Sequence, residues 1–372
     1  MTRASGENAY DFLGEVALGR GPLALTGEAG AGRVCVTLRG PAAQGELRRA
    51  LGPQLALVET ADGLRIEFAA ERLREIAGSS SPVARAVAAA ALARRAPPRD
   101  PRILGVVNVT PDSFSDGGDF ADPGRAVEHG LALLAEGAHG LDIGGESTRP
   151  GSQPVDLEEE RRRVLPVIRG LARETRALLS VDTTKSRVAA EALDLGAGLI
   201  NDVSAGRFDP GMFPLAAARG CELALMHMQG TPRDMQLSPT YGDVVAEVAQ
   251  FLRERAAAAW GAGVAPEKLW IDPGLGFGKR LEHNLALLAR LGELRSLGLS
   301  LLVGPSRKSF IEHVRVRALG ERAGPPPEAR ERLGGSVAAA VSCALSGAEL
   351  LRVHDVRVMA EALRVAVAIR DA

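Results

Sequence analysis

The chain has 372 residues, enough for more than one domain, and its 45 Lys and Arg balance 46 Asp and Glu to a formal net charge of −1. That balance argues against a nucleic-acid tether or a membrane-surface protein and favours a small-molecule partner. No window approaches the ~20 unbroken apolar residues of a membrane span, and the first residues lack the basic start, apolar core and cleavage site of a secretory signal. A soluble cytoplasmic protein is expected, with no nucleic-acid or membrane partner. The three cysteines, Cys35, Cys221 and Cys343, stand singly and suggest neither a disulfide framework nor a zinc site.

The first quarter of the chain mixes strand-like runs at 33–38, 54–58 and 64–68 with helical stretches at 46–51, 69–76 and 83–95. It carries no histidine and no cluster of catalytic residue types, so a small α+β domain with a structural or assembly role is expected over residues 1–97. The prolines at 97, 98 and 101 mark a linker to a second region, 98–372.

After the linker one unit recurs eight times: a short apolar run ending in polar or glycine residues, then a longer helical pattern. The runs end near Asn108, Gly144, Asp182, Asn201, His227, Asp272, Gly304 and His354. Asp122-Pro123 and Asp209-Pro210 each place a cap residue before a helix-starting proline, and Asp156 with Glu159 resembles a capping box. Eight strand–helix units in this length predict an α/β fold, a (β/α)₈ TIM barrel, whose chemistry lies in loops at the strands' carboxyl ends. A doubly wound open sheet is the alternative, but its ligand site would be grouped at one switch point, and here the polar endings are spread over all the strands.

Those endings carry the chemistry. The first strand runs into the loop 108–118 (NVTPDSFSDGG), whose amide, hydroxyls, carboxylates and paired glycines suit an anion and a hard cation. The second starts Asp142 inside the strand and continues to Gly145-Glu146-Ser147-Thr148-Arg149-Pro150-Gly151. This is read as a mobile loop whose Arg149 takes a carboxylate, although a glycine-rich turn with a solvated arginine would look similar. Asp182 and Asn201 end the next two strands and are candidates to face one ligand edge. A carboxylate beside an amide suits a heterocycle with paired N–H donors and a ring acceptor, such as a pterin or purine edge.

Asp272-Pro273-Gly274-Leu275-Gly276-Phe277-Gly278-Lys279 superficially suggests a nucleotide loop, but Pro273 and Arg280 stand where the phosphate-loop pattern needs a glycine and a hydroxyl. The glycines instead permit close approach of backbone to a flat ligand, with Asp272 at its edge and Phe277 at its face. The seventh strand delivers Ser306-Arg307-Lys308-Ser309 and the eighth Arg352-Val353-His354-Asp355. Arg352 and His354 share a strand face and can together hold a phosphate group. His227, within Met226-His227-Met228-Gln229, is read as structural.

Taken together over roughly residues 102–370, these eight loops resemble, in order, those of the dihydropteroate synthases, folate-pathway enzymes of the pterin-binding barrel family. The resemblance implies condensation of 6-hydroxymethyl-7,8-dihydropterin diphosphate with p-aminobenzoate to give dihydropteroate and diphosphate, by a dissociative displacement of Mg²⁺-bound diphosphate. It implies that Asp182, Asn201, Asp272 and Lys308 contact the pterin edge, with Phe277 and Met226 lining that pocket. Asn108, Arg352 and His354 would form the diphosphate pocket, with Asn108 on Mg²⁺. Phe114, Ser147, Thr148, Arg149 and Pro150 would enclose p-aminobenzoate. Asn108, Asp182, Lys308, Arg352 and His354 are the implied catalytic set. A homodimer through the later helices and sulfonamide sensitivity are implied as well.

Two rivals share parts of this pattern. A methyltetrahydrofolate-dependent methyltransferase would need the barrel and the Asp/Asn/Asp edge but neither the Arg149 loop nor the Arg352/His354 pair. A non-catalytic pterin-binding barrel would bind pterin without turnover.

Overall fold

A computed structural model of the chain describes residues 100–110, 122–147, 152–320 and 328–372, together with four strands ahead of them. The expected helices at 46–51, 69–76 and 83–95 lie outside these residues, except that Ala69 ends a strand. The four strands are β1 (Ala24–Gly30), β2 (Arg33–Arg39), β3 (Ala56–Thr60) and β4 (Gly63–Ala69). They form an antiparallel sheet in the order β1-β2-β4-β3. β2 to β4 match the expected runs to within two residues. β1 was not expected, because ALTGEAG holds two glycines and one β-branched residue and so has a weak strand signal.

The remaining eight strands close into a parallel barrel. They are β5 (Arg102–Asn108), β6 (Gly140–Gly144), β7 (Leu178–Asp182), β8 (Leu199–Asp202), β9 (Glu222–Met226), β10 (Leu269–Asp272), β11 (Ser300–Val303) and β12 (Leu350–Val353). β12 pairs with β5 to complete the ring. Each strand ends within one residue of the expected position. The helices outside it are α1 (Pro123–Ala135), α2 (Leu157–Glu174), α3 (Ser186–Asp194), α4 (Met212–Arg219), α5 (Val244–Gly261), α6 (Leu281–Ala289), α7 (Ser309–Leu319), α8 (Leu333–Leu345) and α9 (Val356–Arg370). Two of them, α7 and α8, lie between β11 and β12.

The period of two along each strand separates two cores. Outward residues such as Ile143, Val181, Ile200 and Val353 belong to the large apolar cluster shared with the helices. Leu104, Leu199, Ala224, Trp270, Leu302 and Leu350 form a small separate cluster that plugs the barrel. One pleat further along, the same alternation brings in Asp142, Ser180, Asn201, Asp272 and Arg352. The barrel is therefore apolar at one end and charged at the end where chemistry is expected.

Helix α2 shows how the outer layer is specified. Asp156 caps it, accepting from the Glu159 N–H at 2.8 Å, and Glu158, Glu159 and Glu160 in its first turn complement the helix dipole. Val164, Val167, Ile168 and Leu171 recur every three or four residues on its buried face. Each contributes about 1.5–3 kcal/mol by leaving water. The start expected at Asp209-Pro210 falls two residues later, at Met212. Asp209 instead accepts from the Ser186 N–H at 2.7 Å and the Gly211 N–H at 2.8 Å, joining the start of α3 to the approach to α4.

Candidate active site

The carboxyl ends of the strands open into a cavity of about 1370 Å³. Asn108, Asp182, Phe277, Lys308, Arg352 and His354 all line it. Six residues from five separate loops and strand ends thus converge because each ends or follows a strand of one closed ring.

Beneath the cavity lies a buried charged layer. Asp182 and Asn201 are register partners on β7 and β8. The Arg352 guanidinium bridges two carboxylates, with Nε donating to Asp142 Oδ2 at 2.5 Å and Nη2 donating to Asp182 Oδ2 at 2.8 Å. Asn201 Nδ2 donates to the same Asp142 oxygen at 3.0 Å. Burial, and then the Asp142 charge, push the Asp182 carboxyl up to about 7, against the pull of Arg352. Asp272 is also raised by burial, countered by the Gly274 N–H, which it accepts at 2.7 Å, and by Lys308. One arginine shared between two buried carboxylates leaves this layer acidic, which suits a ligand edge that presents N–H donors.

Phe277 and Met235 line the cavity, and Val203, Met226 and Met228 pack with them as a buried cluster, so Met226 is placed behind the lining and not on it. Lys308 Nζ lies 4.4 Å from the Phe277 ring centroid, within cation–π range. Burial and Arg352 lower the Lys308 amine to about 8, so it carries charge at neutral pH but holds its proton loosely. The glycine-rich loop behind Phe277 is fastened at successive carbonyls. Gln236 Nε2 donates to Gly276 O at 2.5 Å, Lys279 Nζ to Phe277 O at 2.9 Å and Tyr241 OH to Gly278 O at 2.7 Å.

The next strand ends around the ring, those of β12 and β5, carry His354 and Asn108. Ser306 Oγ lies 3.2 Å from His354 Nδ1 and accepts the His354 backbone N–H at 3.3 Å. Arg307 has a left-handed backbone, φ 58°, which costs a non-glycine residue about 1–2 kcal/mol. It is held there by Asp355, which accepts from both ends of its guanidinium at 3.0 and 2.5 Å, and by Ser336 Oγ, which accepts its backbone N–H at 2.9 Å. This restraint sets the turn that presents Ser306 and Lys308 to the cavity.

Ser147 also lines the cavity. Phe114, Thr148, Arg149 and Pro150 lie outside the described residues. The stem of the loop that carries Thr148, Arg149 and Pro150 is anchored: Lys185 Nζ donates to Glu146 at 2.6 Å and to buried Glu160 at 2.5 Å, and Arg163 donates to Gly145 O at 2.8 Å. A smaller cavity of about 350 Å³ opens beside this cluster. Among the described residues no group of three His, Cys, Asp or Glu side chains could hold a metal ion.

Sequence reasoning passed over Lys279, the Glu146–Lys185–Glu160 cluster and the Arg307–Asp355 pair. Lys279 carried a signal as the residue closing a glycine-rich loop, whereas the two ion pairs join segments distant in sequence and had none.

A closed parallel barrel whose carboxyl-end cavity collects carboxylates, a lysine, an arginine and a histidine defines a ligand-binding (β/α)₈ enzyme. Residues 104–354 match the family model described as pterin binding enzyme. The dihydropteroate synthase of Escherichia coli (strain K12) is 47% identical over 265 residues, spanning 71% of this chain and 90% of that protein. A solved structure of the Xanthomonas albilineans dihydropteroate synthase with 4-aminobenzoic acid superposes with a TM-score of 0.67 at 49% identity, covering 73% of this chain and 94% of that one. A second, of the same organism's enzyme with 7,8-dihydropteroate, gives 0.65 at 46% identity, covering 73% and 95%. The chain belongs to the dihydropteroate synthase family and is an enzyme of the transferase class.

Proposed function

We propose that the chain condenses 6-hydroxymethyl-7,8-dihydropterin diphosphate with p-aminobenzoate, forming 7,8-dihydropteroate and diphosphate in folate biosynthesis. The observation that carries this is the convergence of Asp182, Lys308, Phe277, Arg352, His354 and Asn108 on one cavity. The methyltransferase reading has no use for the Arg352/His354 side of that cavity.

In this reading the acidic layer, Asp182 with Asn201 and Asp272, accepts the N–H donors of the pterin edge, while Phe277 covers its face with Met226 packed behind. Lys308, beside Phe277, donates to a ring acceptor. Departure of diphosphate leaves positive charge on the pterin methylene, which the ring delocalises and the Asp182 and Asp272 carboxylates stabilise at a distance. Arg352 and His354 balance the charge on the leaving group. Arg149 holds the p-aminobenzoate carboxylate, and Phe114, Ser147, Thr148 and Pro150 close around the amine. That amine is a neutral nucleophile at pH 7 and needs no strong base, because the ammonium formed on attack is acidic enough to lose its proton to water or to the departing diphosphate.

The described donor set fits Mg²⁺ as an ion that arrives with the diphosphate. Asn108 supplies one hard amide oxygen at the cavity wall, among the described residues no group of three His, Cys, Asp or Glu side chains could hold a metal ion, and Mg²⁺ characteristically keeps waters and substrate phosphates as its other ligands. When bound it would supply charge neutralisation for the departing diphosphate.

Residues 1–97 are proposed as a separate small α+β domain and 98–372 as the catalytic barrel. A homodimer through the later helices is proposed, supported by exposed Val314 and Val316 on α7 and Val365 and Ile369 on α9; sedimentation of the full chain tests it. A cytoplasmic location fits the singly placed cysteines, and no helix among the described residues is long and apolar enough to cross a membrane.

The test is diphosphate release by purified protein with Mg²⁺ and the dihydropterin diphosphate, with and without p-aminobenzoate, against a Lys308→Ala control. Release that requires p-aminobenzoate and disappears in the control supports the synthase, with sulfonamides competing against p-aminobenzoate. Pterin binding without turnover would replace it with the non-catalytic barrel.

A further inference from the structure

We infer that Asp142 is a positioning residue for pterin recognition, its buried carboxylate fixing the Asn201 amide and the Arg352 guanidinium from the layer beneath the pterin edge. The inference rests on the pterin reading of the cavity.

The strand register places it. Gly144 pairs with Asp182, and Asp182 with Asn201, whereas Asp142 pairs with Ser180 one pleat below. Asp142 is fully buried, does not line the cavity and lies one pleat below the level of Asp182 and Asn201. It acts on Arg352, which lines the cavity, and on Asn201, the register partner of cavity-lining Asp182. Its Oδ2 accepts from Arg352 Nε at 2.5 Å and from Asn201 Nδ2 at 3.0 Å. A carboxylate can only accept, so it selects one of the two orientations of the Asn201 amide: the NH₂ group turns down to Asp142 and the carbonyl oxygen turns away from it. With Asp182 beside it, the edge offered to a ligand is then rich in acceptors, matching paired N–H donors. The reversed amide would set its carbonyl against the Asp142 carboxylate and present a donor instead. Arg352 is directed in the same way, its Nε held by Asp142 while its Nη2 reaches Asp182.

Asp142 is a poor choice on grounds of stability. Its Oδ1 is buried and receives no hydrogen bond. Ser180 Oγ, on its register partner, is buried and unpartnered too. A buried, half-satisfied carboxylate beside a second carboxylate is destabilising compared with a packed apolar side chain. The groups that gain from its presence, Asn201 and Arg352, both belong to the candidate site. Its charge also acts on Asp182: the carboxyl there is raised to about 7 by burial first and Asp142 second, with Glu160 and Asp202 adding in the same direction and Arg352 opposing. Pterin donors require the ionised, acceptor-only form of Asp182. Binding therefore strengthens as pH rises through about 7, and removing the Asp142 charge moves that limb to lower pH.

The experiment measures the Kd of unreactive 6-hydroxymethylpterin by calorimetry between about pH 5.5 and 8.5, for the wild-type chain, Asp142→Asn and Asp142→Ser, each checked for folding by its Tm. Asp142→Asn retains volume, and Asp142→Ser provides a second folded background should the first unfold. Both variants are expected to bind about 10-fold or more weakly on the alkaline plateau, with the acid limb displaced to lower pH than in the wild type. Weaker binding with an unmoved limb would mean a merely structural role and would overturn the inference, as would a wild-type plateau in both variants. Failure of the wild-type chain to bind the pterin at any pH would instead overturn the reading of the cavity.

Discussion

Lys279 Nζ lies 2.8 Å from His227 Nδ1 in a site where the lysine is 3% exposed and the histidine 5%. Burial and the neighbouring Lys279 and Arg207 charges lower the His227 imidazole to about 2, so the ring is neutral, and its Nε2–H tautomer leaves Nδ1 to accept from the lysine ammonium. The same ammonium donates to Phe277 O at 2.9 Å and His227 O at 3.4 Å. One hidden lysine thereby joins the segment after β9 to the glycine-rich loop after β10 and sets the carbonyl of the residue that walls the cavity.

Lys279→Met should weaken pterin binding by about 10-fold, through a displaced Phe277 and the loss of a cation that helps keep Asp272 ionised. It should also change how stability responds to pH. Burial lowers the Lys279 amine to about 7 from an ordinary 10.5, so between those values the unfolded chain binds more protons than the folded one. Wild-type stability therefore rises with pH across that window on account of this group. Lys308, lowered to about 8, contributes in the same sense. Denaturant melts at about pH 7 and 9.5 should show a shallower rise in the variant, and an identical rise would contradict the burial of charge at Lys279.

Gly274→Ala tests the same contact from the backbone. Gly274 has φ 65°, and a Cβ there would stand 2.0 Å from His227 O, a carbonyl that cannot swing aside because its residue is bound into the barrel's edge. The His227 N–H donates to Asp272 O at 2.9 Å. We expect a loss of about 2–4 kcal/mol in urea unfolding, from left-handed strain plus displaced backbone. A loss under about 0.5 kcal/mol would show that the loop relaxes freely.

Much of this arrangement was legible in the sequence because a parallel barrel repeats one local rule. An apolar run stops where the chain leaves the core, so Asn108 and Asp182 announce both a strand end and a place on the cavity wall, and Asp272 a strand end. Asp122 and Asp156 announced helix starts for equally local reasons. What the sequence hid depends on register. Nothing local says that Asp142 meets Arg352, which lies 210 positions away, or that Asp209 serves the start of α3 as well as its own turn. The Lys279–His227 contact was hidden similarly, since a buried lysine reads as an exposed one until the chain is folded.

Asn108→Ala should lower kcat by about 10²-fold with little change in Tm, because a partly exposed amide at the cavity wall adds little packing but would position Mg²⁺-bound diphosphate. Steady-state rates over a Mg²⁺ titration check this. An unchanged kcat at saturating Mg²⁺ would remove Asn108 from the leaving-group side.

Arg149→Ala addresses the amine substrate. The stem of its loop is tied down by Glu146 on Lys185 and by Arg163 on Gly145 O, so the substitution should leave the stem in place and remove one charge-assisted bond to the p-aminobenzoate carboxylate. Such bonds contribute about 1.5–3 kcal/mol, which corresponds to a rise of about 10- to 100-fold in the KM for p-aminobenzoate. If that bond is equally strong in the ground and transition states, kcat at saturation stays near the wild-type value and kcat/KM falls by the same factor. Pterin Kd, measured alone, should not move. A rise in pterin Kd with an unchanged KM for p-aminobenzoate would assign the loop to the other substrate.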